Sequence, residues 1–269
     1  MTDLSVIILN YKTRALLEQC LEALARSKTS ASYEVIVVDN ASDDGSADLV
    51  ETSYPQWTFL ASQRNLGFAG GMNIGIEHAH GRYLLCMNPD VRVEPDTLEK
   101  LTQFMDHEPR VALVGPRLVN RDGTTQFSCF RFPQLLTPIY RRSPLGRLWM
   151  ARNHLKRYLM AEWDHEENRP VDWVLGACMM VRRSAMEHVG MLDDRFFLYF
   201  EDTDWCRRFW RAGFRVYYLA DTHVFHLHRR QSAESPGVAG ILSYPTRMHI
   251  ASWMKYLLKY RFRYDEPIP

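Results

Sequence analysis

The sequence predicts an α/β fold with a Rossmann-like, mainly parallel central sheet flanked by helices. Two observations carry that expectation. Short apolar runs alternate with segments of helical period through the first half of the chain, the signature of βαβ units and a parallel sheet. Three of those runs also end in polar residues, and open α/β sheets bind ligands in the crevice beyond their strand carboxyl ends. Size and composition agree: 269 residues, 46% hydrophobic and 24% charged, suit a soluble globular enzyme of one domain or a tightly fused pair.

In chain order, Ser5 to Leu9 reads as a strand ending in Asn10-Tyr11, and Thr13 to Leu24 as a helix with apolar residues at Leu16, Leu17, Cys20, Leu21 and Leu24. Glu34 to Val38 is a second strand ending in Asp39-Asn40, followed by a turn cluster and a short helix through Val50. Trp57 to Leu60 is a third strand, Gly70 to Ala79 a helix opening behind glycines, and Tyr83 to Met87 a fourth strand closed by Asn88-Pro89-Asp90. Glu94-Pro95-Asp96 starts another helix, and Val111 to Val114 is a fifth strand. Phe127 to Pro144 reads as irregular, and Leu145 to Glu162 as a basic amphipathic helix. Val171 to Leu175 and Cys178 to Val181 are strands around a Gly176-Ala177 break, and Glu201 to Ala212 is a helix stopped by Gly213. Arg215 to Leu219 is the last strand, followed by Thr222 to His226.

The net charge of +1 gives no global case for nucleic acid, but the charges are unevenly spread. From Arg131 to Met160 there are seven basic residues and no acid, and from Thr246 to Tyr264 five and none. Apolar residues interleave with both stretches, so each suits either contact with an anionic membrane surface or packing on the domain or a second subunit. Five scattered cysteines without a Cys-x-x-Cys pair read as reduced, buried thiols of a cytoplasmic protein. The amino-terminal residues lack a signal peptide's basic start, and no run approaches the roughly 20 apolar residues of a membrane span.

Several clusters carry chemistry. Asp90 at a strand tip could hold a hard divalent cation that bridges a diphosphate. Asp39 could accept from a pyrimidine N–H or a ribose hydroxyl, or could belong to a plain strand-to-helix connection rich in capping residues. In Arg64 to Asn73 the glycines allow backbone N–H groups to approach a ligand, and Arg64 can meet phosphate. The stretch is not Gly-x-Gly-x-x-Gly, which argues against a dinucleotide dehydrogenase. Glu201, Asp202 and Asp204 are either acids satisfying a helix N-terminus or a catalytic group, with Asp204 and Arg208 paired one turn apart.

Read together, Ser5-Val-Ile-Ile-Leu-Asn-Tyr11, Val37-Val-Asp-Asn-Ala-Ser-x-Asp-Gly-Ser46, Asn65-Leu-Gly-Phe-Ala-Gly-Gly-x-Asn73, Asn88-Pro-Asp90 and Gly190-x-Leu-Asp to Arg208 resemble family-2 glycosyltransferases of the GT-A fold, and within them rhamnosyltransferase-like members that build bacterial surface polysaccharides. The resemblance runs from about Leu4 to Ser232 and covers poorly the basic insert before Glu162 and everything beyond Ser232.

The resemblance implies an inverting transfer from a nucleotide-diphosphate donor, dTDP-rhamnose or a related sugar, to a saccharide or lipid-linked saccharide acceptor, with Mg²⁺ or Mn²⁺. It implies that Tyr11 and Asp39 flank the base, with Asn10 and Asn40 beside them, and that Arg64, Asn65, Gly70 and Asn73 serve the donor. Asn88 and Asp90 stand where the family has a metal-binding Asp-x-Asp, so one acid is replaced by an amide here. His226, in Val224-Phe-His226, would join Asp90 at the metal or diphosphate, with Arg229, Arg230 or Ser232 as phosphate partners and His228 nearby. Trp173, Gly176 and Ala177 would line the sugar and acceptor, although Trp173 also suits ordinary core packing. Asp202 would be the general base and Glu201 an acceptor-orienting neighbour. The expected organisation is a GT-A domain over 1–232, with a donor half (1–120), an acceptor half (121–232) and a basic helical insert at 135–162, then a helical extension over 233–269. The expected setting is the cytoplasm or the inner face of the cell membrane, with no nucleic-acid partner and a homodimer possible. A non-catalytic nucleotide-sugar-binding subunit is the rival reading.

Overall fold

The structure, a computed structural model, describes residues 2–227 and 244–261. Its first half is a parallel block. Strands β1 (Leu4–Asn10), β2 (Tyr33–Asp39), β3 (Thr58–Ala61) and β4 (Tyr83–Met87) lie in the order β3-β2-β1-β4. All of β1 is buried, with Leu4, Val6 and Ile8 in one apolar layer and Ile7 and Leu9 in the other. Coverage of both faces is why these strands read as unbroken apolar runs. Helix α1 (Arg14–Ala25) buries Leu17, Cys20, Leu21 and Leu24 in the first layer. Helix α2 (Ser46–Ser53) buries Leu49 and Val50 there, and α4 (Thr97–His107) buries Leu98, Leu101 and Met105. Helix α3 (Gly67–His78) covers the second layer with Ala69, Met72 and Ile76.

The sheet continues as a mixed one. Strand β11 (Cys178–Arg182) runs antiparallel between β4 and β6 (Val111–Val119), and β12 (Arg215–His226) lies parallel to β6. A three-residue strand, β5 (Val91–Val93), pairs antiparallel with the end of β12. Short strands β7 (Thr125–Gln126) and β9 (Arg169–Pro170) edge β6 and β12, and β8 (Cys129–Phe130) pairs with β10 (Trp173–Val174). Helix α7 (Arg183–Val189) follows β11, and α8 (Glu201–Arg211) buries Trp205, Cys206, Phe209 and Trp210 beneath the sheet. All five cysteines are buried and free, and burial pushes the Cys178 and Cys129 thiols up to about 12.

Several boundaries depart from the sequence reading. Leu145 to Glu162 is not one helix: a 3-10 turn at Pro144–Arg147 gives way at extended Leu148 to α6 (Trp149–Tyr158). Pro144 and Gly146 lie in the 3-10 turn before the break, and Gly146 packs so closely that a Cβ would sit 2.1 Å from the Tyr140 carbonyl oxygen. That carbonyl belongs to α5 (Thr137–Arg142), a helix inside the segment read as irregular. Helix α3 begins at Gly67 rather than Gly70. The two expected segments after Gly213 are one strand, β12, with a register shift between Leu219 and His223.

Beyond 227, α9 (Tyr244–Lys259) buries Trp253, Tyr256 and Leu257 against Phe196 and Phe200. Among the described residues no helix is long and apolar enough to cross a membrane. His228, Arg229, Arg230 and Ser232, and the start and end of the expected extension, lie outside the described residues.

Candidate active site

The tips of β1 and β2 lie side by side because their register pairs Asn10 with Asp39. The buried Asn10 amide nitrogen is 2.8 Å from Asp39 Oδ1 and 2.9 Å from Ser46 Oγ, and its oxygen accepts from the Thr13 hydroxyl at 2.7 Å. Asp39 Oδ2 accepts the Ser42 N–H at 2.9 Å. Asn40 accepts the Leu66 N–H at 2.8 Å and donates to the Gly67 carbonyl and to Asn65 Oδ1 at 3.0 Å. Asn10 and Asn40, expected at the substrate, therefore have their amides occupied inside the protein, as buried polar groups require. Asp39 keeps lone pairs for a ligand, since a carboxylate offers about four acceptor positions. Tyr11 and Arg64 are exposed at this rim, with Lys12 Nζ 5.4 Å from the Tyr11 ring centroid.

In the donor-side stretch the most tightly constrained glycine is Gly67. Gly67 has φ +75°, and a Cβ there would stand 2.2 Å from the Phe197 carbonyl oxygen. Phe68 N–H donates to that same oxygen at 2.7 Å. Asn73 is also fastened to the loop before α8: it donates to the Leu192 carbonyl at 2.8 Å and accepts the Leu192 N–H at 3.2 Å.

Pairing of β5 with β12 places His226 opposite Val91, and so beside Asp90. Asp90 Oδ1 lies 3.4 Å from His226 Nε2. On the far side of the ring, His226 Nδ1 is 2.8 Å from Gln126 Oε1. This contact orients the imidazole so that Nε2 faces Asp90. Orientation of a ligating histidine through its other nitrogen is what metal sites need. The donor set of carboxylate and imidazole fits Mg²⁺ or Mn²⁺ only as part of a coordination shell. Among the described residues no three acids, histidines or cysteines are grouped so that they could hold a metal ion, so donor phosphate or water would complete the shell. Gln126 was not legible beforehand, because only the β6–β7 hairpin brings it near His226.

Asn88, Ala177, Gly176 and Asp202 form a continuous chain of contacts. Asn88 N–H donates to the Ala177 carbonyl at 2.9 Å, and Gly176 N–H donates to Asp202 Oδ2 at 2.9 Å. Phe68 of the donor-side loop approaches the same glycine, 3.5 Å from where a Cβ would stand. Asp202 Oδ1 also accepts the Thr203 N–H at 2.6 Å. Glu201, equally buried, has Oε2 without a hydrogen-bond partner among the described residues. Burial raises both carboxyls above their usual range, and the neighbouring Asp202 pushes Glu201 further. Backbone donors oppose the rise at Asp202, so Asp202 ionises first and Glu201 holds its proton to higher pH. Trp173, by contrast, stacks on Phe130 with centroids 4.5 Å apart and donates to the Arg131 carbonyl. It is buried in the core beneath the sheet.

The start of α8 is held from outside. Tyr199 and Phe200, immediately before Glu201, have φ of 71° and 72°, a conformation uncommon for bulky residues. Helix α9 holds this turn in place: Ser252 donates to the Leu198 carbonyl, and Phe200 packs on Trp253 and Tyr256. Lys259 bridges Asp193 at 2.7 Å and fully buried Asp204 at 2.5 Å, and the Tyr260 hydroxyl donates to Asp204 at 2.7 Å. Asp204 also pairs with Arg208 at 2.9 Å.

A family model described as Glycosyl transferase family 2 matches residues 5–190. An N-acetylglucosaminyl-diphospho-decaprenol L-rhamnosyltransferase of Mycobacterium tuberculosis is 29% identical over 248 residues, covering 88% of this chain and 80% of that protein. A dTDP-rhamnosyl transferase, RfbF of Shigella flexneri, is 24% identical over 88% of this chain and 74% of that protein. The crystal structure of GalNAc-T7 with UDP, GalNAc and Mn²⁺ superposes with a TM-score of 0.68 at 13% identity, over 97% of this chain and 50% of that chain, a likeness of fold.

Proposed function

Since the chain belongs to glycosyl transferase family 2 and is a rhamnosyltransferase-like glycosyltransferase of polysaccharide synthesis, we propose that it performs an inverting transfer from a nucleotide-diphosphate sugar, dTDP-rhamnose or a close relative, to a saccharide on a lipid carrier. The observation that carries this reading is the buried Asp202 side chain, fixed by the Gly176 and Thr203 N–H groups next to the equally buried Glu201. Asp202 takes the proton from the acceptor hydroxyl as that oxygen bonds to the anomeric carbon. The bond from the anomeric carbon to the diphosphate oxygen breaks, and its electron pair leaves with the diphosphate. Attack opposite the leaving group inverts the anomeric centre.

Tyr11 offers its exposed face to the base, and Asp39 accepts from the base or ribose. Arg64 meets the diphosphate, with Asn65 shaping the loop beneath it. Asn88 donates to ribose or phosphate. Asp90 and His226, oriented by Gln126, would hold Mg²⁺ or Mn²⁺. When bound, the cation supplies charge stabilisation to the departing diphosphate. Arg229 and Ser232, outside the described residues, remain proposed phosphate partners. The proposed unit is the domain at 1–232 with its acceptor half after 121, closed by α9 of the extension, working as a monomer or homodimer at the cytoplasmic face.

The names of two relatives support the donor and the lipid-linked acceptor. A screen of nucleotide sugars, scored separately for binding and for acceptor-dependent release of nucleotide, tests the reading. We expect dTDP-rhamnose or a near relative to score in both. Binding without release for every donor would leave a nucleotide-sugar-binding subunit instead.

A further inference from the structure

We propose that the 3-10 turn and helix α6, which together span 144–158, form a docking surface for an anionic lipid bilayer. The proposal goes beyond the donor and acceptor assigned above and depends on neither. Leu145, Leu148, Trp149 and Met150 are 50%, 58%, 76% and 73% exposed, a run of large apolar side chains at the broken joint before α6. The break at Leu148 makes this possible. A single helix through the segment would distribute these residues around its circumference, whereas the 3-10 turn and extended Leu148 leave all of them in solvent.

The charge pattern selects the occupant. Arg147, Arg152, Lys156 and Arg157 are exposed and make no ion pair that the structure describes, and no acid occurs between Arg131 and Met160. At about 100° per residue, Arg152, Asn153, Lys156 and Arg157 fall on the same side of α6 as Trp149, while Ala151 and Tyr158 are buried on the other. Acids resume only at Glu162, past the far end of the helix. The apolar tip and the cationic flank therefore meet one surface together. A bilayer with anionic headgroups accepts both: the tip reaches the headgroup–acyl boundary, where tryptophan is favoured, and the cations remain among phosphates. A second copy related by a two-fold axis would set this acid-free stretch near its own image, with like charges opposed. An apolar groove on a neutral partner would leave the four cations unused.

Part of the second basic stretch lies on helix α9 (Tyr244–Lys259). Its Trp253 and Leu257 are buried in the protein, so packing accounts for that part of the second basic stretch and the proposal does not use it.

Co-sedimentation of the full chain with phosphatidylcholine vesicles, with and without phosphatidylglycerol, tests the surface. We expect binding to the anionic vesicles alone, weakening as salt rises. Arg152→Gln, Lys156→Gln and Arg157→Gln together should weaken it on the order of 10²-fold, about fivefold for each cation lost near the leaflet. Leu148→Ser with Trp149→Ser should weaken it roughly tenfold or more through lost apolar burial. Both variants alter exposed side chains, and unchanged melting temperatures will show that the fold is kept. Absence of binding to anionic vesicles, binding indifferent to both variants, or a dimer in solution that the Leu148/Trp149 variant dissociates would each overturn the proposal.

Discussion

Replacing Asp202 by Asn removes the proposed base with the smallest change of shape. The carboxylate accepts two backbone N–H groups, from Gly176 to Oδ2 at 2.9 Å and from Thr203 to Oδ1 at 2.6 Å. An asparagine amide offers one acceptor oxygen, so it satisfies one N–H and turns its own NH₂ against the other. A buried donor left without an acceptor costs about 1–3 kcal/mol. Against this, the buried charge beside Glu201 is gone, which recovers part of that cost. The expected net loss of stability is therefore at most about 2 kcal/mol, too small to unfold an ordinary domain. Turnover should fall by a factor on the order of 10² to 10⁴, the range for loss of a general base, while donor affinity stays near that of the wild type. Steady-state kinetics, calorimetric donor binding and thermal melting on one preparation separate these effects. Near-wild-type turnover in Asp202→Asn, with loss in Glu201→Gln instead, would refute the assignment.

Glu201 makes its own prediction in stability. Burial raises its folded pKa above the ordinary glutamate range, so between that range and the raised value the folded chain holds a proton that the unfolded chain lacks, and stability falls as pH rises through the window. Glu201→Gln should flatten this decline, with its melting temperature gaining on the wild type from acid to neutral pH; parallel curves would contradict it. Asp90→Ala, and chelation of divalent cations, should each weaken donor binding, and Gln126→Leu should do so less strongly by freeing the His226 ring; isothermal titration with and without Mg²⁺ or Mn²⁺ reads all three. Gly67→Ala must place a methyl 2.2 Å from the Phe197 carbonyl oxygen at a positive φ, so it should cost roughly 2 kcal/mol or more and loosen donor binding, measured by denaturant unfolding and the donor dissociation constant.

Much of the fold was legible because its signals are local. The apolar runs of β1, β2 and β4 are continuous since helices cover both faces of these strands, and their polar ends mark the crevice. The break before α6 was not legible, because only the packing of Gly146 against the Tyr140 carbonyl of α5 shows that no side chain fits there. The candidate site divides the same way. Asp90, Asp202 and His226 were expected from motif and position, and the structure sets Asp90 beside His226 and Asp202 against Gly176. Asn10, Asn40 and Asn73 look the same in sequence whether an amide meets a ligand or ties two loops together, and only their partners decide. Gln126, Lys259 and Tyr260 carried no local signal at all. Their roles exist only through contacts to His226, Asp193 and Asp204 across long stretches of chain.

The most direct test of the central claim is the anomeric configuration of the product, read by NMR from a reaction with the donor that the screen identifies. Asp202 as a base opposite a departing diphosphate predicts a glycosidic bond of configuration opposite to that in the donor, formed in step with acceptor-dependent nucleotide release and lost in Asp202→Asn. A product that keeps the donor configuration would contradict the account.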